Sequence, residues 1–264
     1  MTDAPAAAAE RRPDLVGRLR AAGCVFAEDE ALLLVAAART AGELDALVAR
    51  RISGVPLEQV LGWAEFGGLR IATAPGVFVP RRRTEHVVAL AAAVARPGAV
   101  VLDLCCGTGA IGAAVAARAA GIELHAADID PVAVVCARQN VEPFGGAVYL
   151  GDLFEPVPVA LRGRVDILVV NAPYVPTASI ALMPPEARLH EPRAALDGGP
   201  DGLDVQRRVL ATAGEWLAPG GHVLVETSAQ QARRTVEAAA RGGLDARIET
   251  SGHLGATVVV ARSR

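Results

Sequence analysis

No stretch of 18 or more apolar residues in this 264-residue chain escapes a charge, so the sequence offers no membrane span. The four cysteines, Cys24, Cys105, Cys106 and Cys136, form no C-x-x-C pair. That excludes a zinc or disulfide framework and suits a reduced, cytoplasmic setting. His86, His125, His190, His222 and His253 are scattered and suggest no metal site. A basic excess is missing too. The net charge is −3, so there is no global field for nucleic acid, and no direct nucleic-acid binding is expected. A local basic patch does occur at Arg81-Arg82-Arg83. Met1 to Pro13 carries acids and arginines without an apolar core, unlike a signal peptide. What is present is globular: 52% of residues are apolar and 21% charged, enough for one large domain or a domain plus a small one.

Residues 13–55 read as two or three short amphipathic helices, with Leu15, Leu19, Leu32, Leu33, Val35, Leu44, Leu47 and Val48 at helical spacing. Gly23 and Gly42 punctuate them. Glycines, prolines and alternating apolar positions over 62–80 predict a β-hairpin or extended connector, and Thr84 is placed to cap the next helix. From residue 99 a β/α alternation sets in. Strands are expected at 99–104, 122–128, 147–151, 165–170 and 221–226, and helices at 110–120, 131–141, 202–217 and 229–241. Strands at 245–250 and 256–261 read as a terminal antiparallel pair. The expected fold is α/β: a doubly wound, mostly parallel, seven-stranded sheet preceded by a small helical domain. The boundaries are 1–61 for the helical domain, 62–84 for the connector and 85–264 for the sheet domain. The long Pro-rich stretch 172–200 follows the fourth strand, and loops of this length usually carry function.

In Val100-Val-Leu-Asp-Leu-Cys-Cys-Gly-Thr-Gly-Ala-Ile111, a strand ending around Asp103 passes through Cys105, Gly107 and Gly109 into a helix. Glycine lets a ligand approach the backbone, and a helix start presents free N–H groups. The turn is not G-x-G-x-x-G, because Cys105 stands where the first glycine would be, and alone it is weak evidence. Asp128, at the end of the second strand and about 20 residues on, suits a ribose diol. Asp130 suits the cap of a helix starting at Pro131. Asp152, followed by Leu153, ends the third strand and could accept from an adenine amino group. Singly, each Asp serves equally as a cap. Together with the glycine turn they point to a nucleoside ligand. No lysine or arginine follows the turn to bind a pyrophosphate, which fits S-adenosylmethionine (AdoMet).

Asn171-Ala172-Pro173-Tyr174 follows the apolar strand 165–170, at the end where open α/β sheets place ligands. Asn171 supplies a side-chain carbonyl, Ala172 a backbone carbonyl and Tyr174 a flat apolar face. Two acceptors beside an aromatic plane suit a planar –NH2 group, such as an amide or an exocyclic amine.

From about Arg51 onward the chain resembles the HemK-type protein-glutamine N5-methyltransferases. Arg51 to Phe66 is similar to the family's connector, and Val79-Pro80-Arg81 with Thr84-Glu85 to its P-R-P-x-T-E segment. Glu191 to Leu203 matches the stretch after the family's N-P-P-Y motif, which amine methyltransferases in general lack. The resemblance implies a class I, Rossmann-like methyltransferase fold. It also implies AdoMet as cofactor and transfer to a glutamine of a translation protein, with a release factor or a ribosomal protein as candidate partners. Several positions depart from the family pattern. Ala172 replaces a proline, Arg82 and Arg83 replace a proline and an acid, and Thr227-Ser228 follows Glu226 where Ile-Gly is common. Thr257 stands in place of an expected arginine, and together these suggest a paralogous branch. An amino-group methyltransferase acting on adenine in DNA or RNA is the alternative. It shares the tetrapeptide pattern but usually adds a basic face. A non-catalytic AdoMet-binding module would need a damaged acceptor site.

Overall fold

The computed structural model describes residues 12–263. The leader reading of Met1 to Pro13 falls largely outside them. Four helices open the described chain: α1 (Arg12–Ala21), α2 (Ala27–Ala37), α3 (Ala41–Ile52) and α4 (Leu57–Leu61). Leu15, Leu19, Ala31, Leu34, Leu44 and Val48 turn inward and form a hydrophobic cluster of their own. Gly23 makes a turn at φ +92°, as expected. Gly42 does not punctuate: it lies in the first turn of α3, whose cap is Thr40, accepting from the Glu43 N–H.

The hairpin β1 (Trp63–Phe66) and β2 (Leu69–Ala72) turns at Gly67-Gly68, both with positive φ as a tight hairpin requires. Phe66 and Ile71 are buried in the same cluster as Val87, Val101 and Val169, so the hairpin belongs to the core of the sheet domain. Trp63 is half-buried, with the Arg70 guanidinium 3.7 Å above its ring. Arg82–Thr84 forms a 3₁₀ turn that runs straight into α5 (Glu85–Val94). Thr84 is therefore already helical and its side chain does not cap, contrary to expectation.

The main sheet comprises β3 (Val100–Leu104), β4 (Glu123–Asp128), β5 (Ala147–Leu150), β6 (Val165–Val170), β7 (Leu217–Thr227), β8 (Asp245–Ser251) and β9 (Ala256–Arg262). Their order is β5-β4-β3-β6-β7-β9-β8. The first five are parallel, and β9 runs antiparallel to both β7 and β8. The order reverses between β3 and β6, where doubly wound sheets bind ligands. Both faces are covered over the central strands, so β3, β6 and β9 are buried on both sides, while the edge strand β8 is largely exposed. Val101 faces α6 (Ala110–Arg118) and α7 (Pro131–Val141), whereas Leu102 and Leu104 face α9 (Asp204–Trp216) and α10 (Ala232–Arg241). The strand read as 221–226 begins earlier, at Leu217. Pro219-Gly220-Gly221 is an irregular stretch of this strand, where a Cβ on Gly221 would lie 2.7 Å from the Val165 carbonyl. The stretch 172–200 is not a bare loop. It carries 3₁₀ turns at Thr177–Leu182 and Arg193–Ala195 and the short helix α8 (Pro185–His190).

Candidate active site

A cavity of about 1230 Å³ opens over the carboxyl ends of β3, β4 and β6 and extends to the N-terminal helices. Cys105, Gly107, Asp128, Asp152, Leu153, Asn171, Ala172, Pro173 and Tyr174 all line it. Asp103 and Gly109 do not. The two-residue period of β3 puts Asp103 on the Val101 side, beneath α6, where its Oδ2 accepts from the Gly112 N–H at 2.8 Å. Its Oδ1 has no partner among the described residues, and burial pushes the carboxyl up to about 8. Gly109 faces α7, where a Cβ would lie 2.7 Å from Val141. These two residues shape the turn from behind.

One half of the cavity is built mainly from strand ends and their turns. Asp128 accepts from the Gly107 N–H at 2.8 Å and from the Asp130 N–H at 2.9 Å. Burial raises its pKa, while these backbone bonds oppose the rise. The carboxylate plane is thus fixed before any ligand arrives, with lone pairs left over. A Cβ on Gly107 would meet nothing within 4 Å, so the turn leaves open space. Cys105 holds φ +57° and Leu153 φ +49°, conformations that side chains rarely adopt. Burial raises the Cys105 thiol, which stays protonated. Asp152 pairs with Arg208 of α9 at 2.5 Å. Asp130 caps α7 by accepting from Val132, as its sequence position indicated.

The other half is assembled from remote segments. Asn171 Nδ2 donates to Thr84 Oγ1 at 3.5 Å, which leaves Oδ1 without a partner among the described residues. The Tyr174 carbonyl accepts from Gln231 Nε2 at 2.9 Å, and Ser228 holds that Gln231 side chain from its other end. The Val175 N–H donates to the Leu196 carbonyl and its carbonyl accepts from the Gly198 N–H. Backbones meet so closely here that a Cβ on Gly202 would lie 2.3 Å from the Tyr174 carbonyl oxygen, and one on Gly198 2.7 Å from that of Pro173. The run Asp197-Gly-Gly-Pro-Asp-Gly202 is therefore the mould of the loop 171–175. Glu191 is buried, accepts from the Val79 N–H and pairs with Arg81 at 2.5 Å, fastening the connector to the stretch 172–200. Gln59 Nε2 donates to the carbonyls of Val77 and His190, adding the helical domain to the same joint.

The family model of the methyltransferase small domain matches residues 68–199. The release factor glutamine methyltransferase of Geobacter sulfurreducens is 41% identical over 75% of this chain and 69% of its own length. That of Mycolicibacterium smegmatis is 40% identical, over 75% of this chain and 70% of its own. The chain belongs to the HemK-type release factor glutamine methyltransferase family. Among solved structures, a methyltransferase from Pyrococcus furiosus shares the fold at a TM-score of 0.56 and 18% identity, covering 74% of this chain and 89% of that one. The 16S rRNA N2 G1207 methyltransferase of T. thermophilus, solved with AdoMet and guanosine, does so at 0.55 and 20%, covering 76% and 50%.

The methyltransferase is AdoMet-dependent, and the strand-end half of its cavity fits that cofactor. Gly107 leaves the space, Asp128 offers prepared acceptors, and the Leu153 N–H donates to no group among the described residues. Sequence reasoning missed Gln231, Glu191 and Arg208 as parts of the site. Glu191 lay within the family-like stretch 191–203 and could have been found there; Gln231 and Arg208 carry no local signal. Trp63 and Phe66 do not line the cavity. Among the described residues no helix is long and apolar enough to cross a membrane.

Proposed function

We propose that this methyltransferase modifies the side-chain amide nitrogen of one glutamine in a release factor, with Asn171 to Tyr174 as the acceptor site. The observation that carries the reading is the free Asn171 Oδ1 beside the Ala172 carbonyl, which accepts no hydrogen bond among the described residues. Each can take one N–H of a primary amide. With both N–H groups held, the amide nitrogen is aimed in one direction, and the Tyr174 ring supports its plane. Bound AdoMet supplies the electrophilic methyl group. Asp128 would grip its ribose, Asp152 with the Leu153 N–H would read its adenine edge, and Cys105 and Gly107 would pass beneath it. An amide is a poor nucleophile, so orientation and the two acceptors carry the catalysis, and the proton leaves to water.

The relatives' names favour a release factor over a ribosomal protein. The test is incubation of the protein with methyl-labelled AdoMet, purified release factor, ribosomal proteins and nucleic acid, followed by peptide mapping. One labelled glutamine in the release factor is expected. Label on a ribosomal protein would move the substrate, and label on adenine would overturn the glutamine reading.

We assign partner recognition to the helical domain up to residue 61, with 62–84 as connector and 85–264 as the cofactor-binding domain. Because Phe66 and Ile71 are buried in the sheet-domain core, a functional cut must fall before the hairpin. A fragment starting at Gly62 should bind AdoMet and lose transfer to the release factor. Full transfer by that fragment would refute the division.

A further inference from the structure

Arg83, Tyr174 and Glu226 come from the connector, the acceptor loop and the end of β7, yet their polar atoms form a closed ring. Arg83 Nη2 donates to the Tyr174 hydroxyl at 2.8 Å. That hydroxyl donates to Glu226 Oε1 at 3.1 Å, and Arg83 Nε donates to the same oxygen at 3.3 Å. Glu226 is 2% exposed, and its main-chain carbonyl is held in turn by buried Gln206. We propose that Arg83 and Glu226 are positioning residues that clamp the Tyr174 hydroxyl and thereby fix the pitch of its ring against the target amide. The inference rests on the acceptor-site reading above.

Three observations converge on it. The Tyr174 carbonyl is separately tied to Gln231, so with the hydroxyl bound the tyrosine is held at both ends. The opposite charges of Arg83 and Glu226 cancel locally, so the clamp adds no net charge beside the cavity. Burial, followed by the Glu226 charge, pushes the hydroxyl up to about 12, which keeps it protonated and able to donate while it accepts from Arg83. A phenylalanine would offer the same apolar face and none of this restraint. The clamp also links the connector to the acceptor loop, so a shift in one is felt in the other.

The test is single-turnover transfer by the full chain to purified release factor, with AdoMet affinity measured alongside. Arg83→Ala alone strands a buried carboxylate and costs stability. The informative variant is Arg83→Ala/Glu226→Gln, which removes both charges together. It should slow transfer roughly 10- to 100-fold, the loss that a small misplacement of a reacting group produces. AdoMet affinity and KM for the release factor should stay within about threefold, because the clamp acts on orientation. Tyr174→Phe should slow transfer similarly, and adding the double change to it should cost less than about threefold more, the non-additivity of groups that act through one contact. Wild-type rates in Arg83→Ala/Glu226→Gln or in Tyr174→Phe would overturn the proposal, as would a full additive loss in the triple variant. Asn171→Ala separates the two layers. If it transfers normally, the acceptor reading has failed; if it is inactive while the clamp variants are normal, only the clamp has failed.

Discussion

The two halves of the cavity are built by different means. The half proposed for the cofactor is mainly strand ends and their turns: Gly107, Asp128 and Leu153 lie at the carboxyl ends of three neighbouring strands, β3, β4 and β5. The half proposed for the acceptor draws together the side chains of Thr84, Asn171, Glu226 and Gln231 and the backbone at Gly202, from segments far apart in the chain. A site made of turns is fixed by the sheet itself. A site made of remote side chains is fixed only when every segment has docked. Three of the departures from the family pattern fall in the second half. Arg83 and Ser228 both act on the acceptor loop, whereas Ala172 keeps the carbonyl that the proposed mechanism uses.

Legibility in the sequence follows the same division. The strand-end acids and the glycine turn are local signals, so the fold and most residues that line the strand-end half of the cavity could be read directly. Thr84 could not. As a local sequence it is a helix cap, and only the folded chain turns its hydroxyl toward Asn171. Asp103 was misleading for another reason. Its place at the strand end suggests the cavity, but the strand period sends its side chain under α6. Arg208 meets Asp152 across 56 residues, a separation at which no periodicity helps.

The most severe way to break the acceptor half alone is Asn171→Ala. Removing one oriented polar partner of the reacting group should lower transfer roughly 10²- to 10³-fold. Calorimetric AdoMet affinity and the circular dichroism spectrum should not change. Asn171→Asp should also be severe, though an acceptor oxygen remains. The matching change in the cofactor half is Asp128→Ala. It should weaken AdoMet binding at least about tenfold, since each charge-assisted hydrogen bond lost is worth about 1.5–3 kcal/mol. An unchanged affinity would remove Asp128 from the ribose assignment.

A third comparison is one of pH. The folded chain keeps a proton on Asp103, titrating at about 8, that the unfolded chain loses near 3.8. This group's share of stability is therefore full at low pH and fades as pH rises through about 8. Asp103→Asn, which still offers an acceptor to Gly112, should not share that decline. Urea midpoints of the two proteins should shift in the variant's favour between about pH 5 and about pH 8.5. Parallel curves would exclude Asp103 as a titrating group. The smallest effect is expected from Ala172→Pro. The Ala172 N–H donates to no carbonyl among the described residues, so a proline costs no bond there. Transfer should stay within about threefold, and stability should rise by about 0.4–1 kcal/mol if the backbone already suits the ring. Loss of activity with intact AdoMet binding would show that residue 172 does more than present its carbonyl.

The position of β9 bears on how such a chain leaves the ribosome. Its residues are buried from Ala256 to Ala261, and it fills the slot between β7 and β8 although it is synthesised after both. Until β9 emerges, β7 presents an open edge and β8 has no neighbour to pair with. An unpaired edge of that kind is a template for association with other chains. A nascent chain stalled or clipped before β9 would thus carry the strand ends that line the cavity and an unsealed sheet. Its vulnerability would be aggregation during synthesis.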